Sequence, residues 1–122
     1  MFARFLERSA PASSQSGSVR MIDAATARTW AAAGEAVIVD VREAHEFAGS
    51  HIAEAVSMPL SRFDPARLPD LAGRKLVIHC RSGMRCGLAA DRLLASGWTG
   101  QVHRLQGGIM AWSAAGYPLQ AG

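Results

Sequence analysis

The sequence predicts an α/β fold with a parallel sheet covered by helices on both faces. Three observations lead there. Two short runs, residues 36–41 (Ala-Val-Ile-Val-Asp-Val) and 75–80 (Lys-Leu-Val-Ile-His-Cys), are apolar and rich in β-branched residues, as strands buried on both faces are. Segments of helical pattern separate them, most closed by glycine. At 122 residues and 49% hydrophobic, the chain is long enough for one ordinary domain with its own core.

The elements follow in order. Asp23 is placed to cap a helix over residues 24–33, and Gly34 stops it. The first buried strand covers 36–41. Residues 43–48 suit a short helix ended by Gly49, and 55–58 a short strand before Pro59. A short helical turn is expected near Ser61 or Pro65. The second buried strand runs over 75–80. Residues 84–95 form a helix with Leu88, Leu93 and Leu94 available to the core and Gly97 as its stop. Residues 101–105 make a third strand. Gly107-Gly108 opens a last helix over 109–115, ended by Gly116 and Pro118. No internal repeat is present. Residues 9–18 are small and polar, with the composition of a linker, so 1–18 reads as a tail or linker and 19–120 as the domain. The first eight residues lack the apolar core of a secretory signal.

Composition narrows the function. Two cysteines are too few for a disulfide-rich scaffold, and no stretch approaches a membrane span. The net charge is +3, but residues 1–20 carry Arg4, Arg8 and Arg20 against Glu7. The remaining body is close to neutral, so nucleic acid is not an expected partner. Lys75 is the only lysine beside 12 arginines, a bias that suggests a GC-rich bacterial genome; a cytoplasmic location is expected.

In open parallel sheets, sites lie beyond the carboxyl ends of the strands. That directs attention to Asp40-Val41-Arg42 and to Cys80 onward. The segment from 79 reads His-Cys-Arg-Ser-Gly-Met-Arg-Cys-Gly. Cys80 ends a strand and a helix begins four residues later, so the chain between must curl, with Gly83 permitting the turn. Such a loop aims backbone N–H groups inward as an anion nest, reinforced by the helix dipole. Arg81 and Arg85 add positive charge. A thiol at Cys80 is therefore expected to ionise at neutral pH and act as a nucleophile carrying an anionic adduct. Cysteine-dependent phosphatases place one more residue between cysteine and arginine, around a tetrahedral oxyanion. The four-residue gap from Cys80 to Arg85 suits a single extra sulfur atom instead.

Cys80-Arg81-Ser82-Gly83-Met84-Arg85 resembles the active-site loop of rhodaneses. The resemblance extends to Val39-Asp40-Val41-Arg42-Glu43, Glu46-Phe47, His51-Ile52 and Met58-Pro59-Leu60 on one side. On the other it takes in Leu105-Gln106-Gly107-Gly108-Ile109, Trp112 and Gly116-Tyr117-Pro118. It covers about residues 19–118. It implies a single-domain, five-stranded parallel sheet and a double displacement. In that reaction Cys80 takes a sulfane sulfur from thiosulfate or a small persulfide, and a thiol or cyanide acceptor removes it. The resemblance implies no metal or organic cofactor. It assigns the backbone N–H groups of Arg81, Ser82, Gly83, Met84, Arg85 and Cys86 to the persulfide, and Arg81 and Arg85 to an anionic donor; Arg81 also reads as a plain exposed loop residue, and Arg85 equally as a structural tie from the loop to its neighbours. A sulfur-carrier or regulatory module serving a protein acceptor is the alternative.

Two departures stand out. Ser50-His51-Ile52-Ala53-Glu54 replaces a glycine- and proline-containing turn of many members. Cys86 follows Arg85 where a serine, threonine or alanine is usual. Cys86 has two readings, a small core hydrophobe or a resolving thiol for Cys80. Asp40 and Arg42, with Glu46 as a further member, are expected to fix the loop floor. His45, His51, His79 and His103 lack ligand spacing, and His79 should face away from Cys80. Trp30, Trp98 and Trp112 read as packing residues.

Overall fold

A computed structural model describes residues 17–122. The 1–16 part of the expected tail lies outside the described residues. The elements run β1 (Gly17–Ile22), α1 (Ala24–Ala32), β2 (Ala36–Asp40), α2 (Ala44–Gly49), β3 (Ala55–Ser57), two 3-10 turns (Leu60–Arg62 and Pro65–Arg67), β4 (Lys75–His79), α3 (Met84–Ala95), β5 (Gly100–Leu105) and α4 (Gly108–Ala114). The five strands form one parallel sheet in the order β1-β5-β4-β2-β3. Among the described residues no helix is long and apolar enough to cross a membrane.

The central strands alternate between two cores, as a period of two requires. Val37, Val39, Leu76, Ile78, Cys80 and Val102 point to one side, where α3 supplies Cys86, Ala89, Ala90 and Leu93. Ile38, Val77 and Leu105 point to the other, against Ala27 and Ala31 of α1 and Ile109 and Trp112 of α4. Asp23 caps α1 as expected, accepting the Thr26 N–H at 2.8 Å. Leu93 of α3 is fully buried, but Leu88 is 49% exposed and does not join the core. The buried stripe of α3 runs through Cys86, Ala89, Ala90 and Leu93, which places Leu88 outside it.

Strand β1 has no counterpart among the elements read from the sequence. It pairs with β5 from Gly17↔Gly100 to Ile22↔Leu105, so Gly17 and Ser18 belong to the sheet and not to the linker. As an edge strand it is mostly exposed and carries no apolar run. Gly17 is small for a structural reason. A Cβ there would stand 2.7 Å from the Trp98 carbonyl oxygen, so the residue that looks like linker allows close packing.

Candidate active site

The site lies where β4 hands over to α3. Cys80 follows the last residue of β4, and Gly83 makes the turn at φ 130°, ψ −18°. That region is open to glycine and strained for other residues. Its amide N–H reaches back to the Cys80 Sγ at 3.1 Å. The N–H groups of Arg85 and Cys86, in the first turn of α3, face the same sulfur, and so does the Cys86 thiol. Together they hold the Cys80 thiol at about 5, far below its ordinary value of 9.0. The Cys86 thiol is the largest contributor; burial opposes the shift and the backbone N–H groups reinforce it.

Cys86 is fully buried. Its Sγ lies 3.0 Å from the Gly83 carbonyl oxygen, so one proton faces two acceptors, that oxygen and the Cys80 sulfur. The Cys80 sulfur and burial push the Cys86 thiol well above its usual range. Hence Cys80 carries the negative charge and Cys86 keeps the proton. Both cysteines are free.

Arg85 has two readings from the sequence, contact with an anionic donor or a structural tie from the loop to its neighbours. Both arms of its guanidinium engage Glu46, with Nη1 donating to Oε1 at 2.6 Å and Nη2 to Oε2 at 3.0 Å. Glu46 is pre-oriented for this by a capping box, since its Oε1 also accepts the Glu43 N–H at 2.9 Å. The fork from Arg85 holds the Glu46 carboxyl at about 2 against an ordinary 4.5. A carboxyl lowered in the folded state contributes stability above its unfolded value and loses it as pH falls through the folded value. The pair is partly exposed, so Glu46→Gln is expected to cost about 1 kcal/mol at neutral pH. The gap from wild type should narrow as pH falls from about 4.5 towards 2, read by urea unfolding at several pH values.

Asp40 and Arg42 form a buried pair, with Nη2 donating to Oδ2 at 2.7 Å and Nε to Oδ1 at 3.0 Å. Arg42 also donates to the Ser50 carbonyl at 2.8 Å. The pair therefore braces the end of α2, and Arg42 also lines the groove beside Arg81 of the loop. Glu46 joins the Cys80 loop through Arg85, while only its backbone oxygen meets Arg42, at 3.5 Å. His79 faces away from Cys80 as expected. Its Nδ1 is 3.2 Å from the Cys80 carbonyl oxygen, and its buried Nε2 has no hydrogen-bond partner among the described residues. Burial lowers its pKa, opposed by nearby Asp40, and the ring stays neutral.

Arg81, Ser82 and Met84 stand exposed at the rim. Beside Arg81 runs a groove of about 340 Å³ whose walls include Met110, Ser113 and Leu119. The loop is docked from behind by α4, whose first turn donates from Ile109 N–H to the Cys80 carbonyl at 2.9 Å and from Met110 N–H to the Arg81 carbonyl at 3.1 Å.

One residue of this site was not found in the sequence. Arg104 of β5 sends Nη2 to the Gly83 carbonyl at 2.8 Å and Nε to the Cys86 Sγ at 3.5 Å. A signal existed. Arg104 is two positions from buried Val102 and so shares its face of the sheet, an unusual place for a charge.

Comparison with known proteins agrees with this geometry. The family model described as Rhodanese-like domain matches residues 23–115. An uncharacterised protein from Synechocystis sp. is 46% identical over 82 residues, covering 67% of this chain and 45% of its own length. A sulfurtransferase from Allochromatium vinosum is 36% identical over 88 residues, covering 71% of this chain and 80% of its own length. The crystal structure of a rhodanese-related protein from Thermoplasma volcanium superposes with a TM-score of 0.71 at 28% identity, covering 84% of this chain and 99% of that one. The chain spans less than half the length of several curated relatives it matches, a tRNA uridine(34) hydroxylase from Bordetella parapertussis among them.

Proposed function

The chain belongs to the rhodanese-like domain family, and from that premise we propose that it is a sulfurtransferase working through a persulfide on Cys80. The observation that carries this reading is the cradled Cys80 sulfur at the strand end, with the Gly83 N–H donating to it at 3.1 Å, a setting that lowers the thiol's pKa. The thiolate attacks the outer sulfur of thiosulfate or of a small persulfide. A sulfur–sulfur bond forms to Cys80, the donor's own sulfur–sulfur bond breaks, and sulfite or a thiolate leaves with the electron pair. An acceptor thiolate or cyanide then attacks the outer sulfur, and Cys80 departs as thiolate. The low pKa serves both steps, since it supplies the nucleophile first and a good leaving group second.

The donors that stabilise the thiolate are placed to take over the outer sulfur's charge, with Gly83, Arg85 and Cys86 contributing N–H groups. Arg85, tied to Glu46, shapes the loop. Exposed Arg81 is the cation free to draw an anionic donor to the rim. Treating the protein with thiosulfate or a glutathione-type persulfide should leave it heavier by one sulfur atom in intact-mass spectrometry. An unchanged mass with both donors, on folded protein, would sink the reading. A carrier role for a protein acceptor is supported by Met84, which is 80% exposed on the loop itself. Stable loading with slow turnover on small acceptors would favour it.

A further inference from the structure

Gly83 is pinned at both ends. Its N–H donates to the Cys80 sulfur, and its carbonyl oxygen accepts from Arg104 Nη2 at 2.8 Å. The same oxygen lies 3.0 Å from the Cys86 sulfur, and Arg104 Nε lies 3.5 Å from that sulfur. We propose that Arg104 is a positioning residue for the Cys80 thiolate: from β5 it fixes the Gly83 backbone whose N–H meets the Cys80 sulfur.

Gly83 links Arg104 to the Cys80 sulfur: its carbonyl oxygen takes Arg104 Nη2 and the single Cys86 proton, and its N–H meets the Cys80 sulfur. Arg104 holds the Gly83 carbonyl with a charged donor, and the Gly83 backbone so held aims its N–H at the Cys80 sulfur. Arg104 Nε, donating to the Cys86 sulfur, polarises the S–H bond and strengthens it as a donor. Without Arg104 the Gly83 carbonyl keeps only the Cys86 thiol, and a conformation at φ 130° loses its charged anchor on that side.

Gly87 is the second, independent observation. It sits on the first turns of α3 with ordinary helical backbone, and a Cβ there would stand 2.9 Å from Arg104 Nη2 and 3.1 Å from its Cζ. Gly87 leaves the space the guanidinium occupies. A helix interior normally disfavours glycine, so the position gives up helix propensity in favour of Arg104.

This inference deepens the sulfurtransferase reading and rests on it for its purpose, but its test needs no sulfur donor. Among the described residues the groups facing the Cys80 sulfur are Cys86 and Arg85 from α3, with Arg104 behind Cys86 from β5; His79, on its own strand, points to the opposite face. The Cys80 thiolate is titrated by its ultraviolet absorbance and by the pH dependence of alkylation, each against the matching Cys80→Ser background. Gly87→Ala, which moves Arg104 while keeping its charge, and Arg104→Met should each raise the midpoint by about one unit, slowing alkylation roughly fivefold near pH 5. Arg104→Lys, with charge but no fork, should fall between. A midpoint unmoved in Gly87→Ala overturns the proposal whatever happens to melting temperature, and decides the matter if Arg104→Met does not fold. A protein that never takes up sulfur but shows these shifts would sink the transfer reading and leave this one standing.

Discussion

Cys80→Ser should bring sulfur transfer down to the rate seen without protein, and no added sulfur should be found on the variant. The serine hydroxyl fits the space, but it stays protonated where the thiol is ionised, and the cradle was built for a charge. Wild-type loading should follow the thiolate. It should be nearly flat above about pH 6 and fall close to tenfold per unit below about pH 5, because the acid limb tracks the lowered Cys80 value. Stopped-flow loading across pH, with Cys80→Ser as the blank, measures both effects. An acid limb near the ordinary thiol value would mean that the Cys86 and backbone donors do not act on Cys80 as the geometry requires. The folded state of Cys80→Ser should survive, since the substitution removes one buried anion and adds no bulk.

Gly108→Ala should be the most damaging change that leaves every polar group of the site in place. Gly108 has φ +61°, a conformation that costs an alanine on the order of 1–2 kcal/mol by itself. The added Cβ would also meet backbone. It would stand 2.5 Å from the Cys80 carbonyl oxygen and closer still to that of Arg81. Neither carbonyl is the free end of a flexible side chain, so α4 must retreat from the loop. The retreat breaks the two bonds by which Ile109 and Met110 hold Cys80 and Arg81. The expected outcome is a lower melting temperature together with a raised Cys80 midpoint and slower loading. Gly34→Ala, also at positive φ (71°) but with open space around the new Cβ, is the control. It should lose stability alone and leave the Cys80 titration where it was.

How much of this was legible in the sequence depends on how local the cause is. The two buried strands announced themselves because a strand covered on both faces must be apolar throughout. Asp23 and Gly34 marked a helix because caps and stops act within a few residues. Strand β1 gave no such sign, since an edge strand needs only a partner, and the register with β5 supplies it. Leu88 was placed in the core by pattern alone; the helix presents Ala89 and Ala90 to the sheet instead, and which stripe is buried depends on the angle of approach.

The site divides along the same line. The sequence by itself determined that a cysteine ends a buried strand before a glycine turn and a helix, and hence that backbone N–H groups gather around its sulfur. It also determined the family, because the signatures lie in order along the chain. Only the tertiary structure decided the partners of the charged side chains. Glu46 comes from 39 positions away to occupy Arg85, and Arg104 comes from 18 positions beyond Cys86 to hold Gly83. Long charged side chains reach whatever register and helix packing bring within a few ångströms, and those are properties of the assembled sheet. The nest is written in a run of residues, whereas the grip that holds Gly83 exists only once β5 lies beside β4.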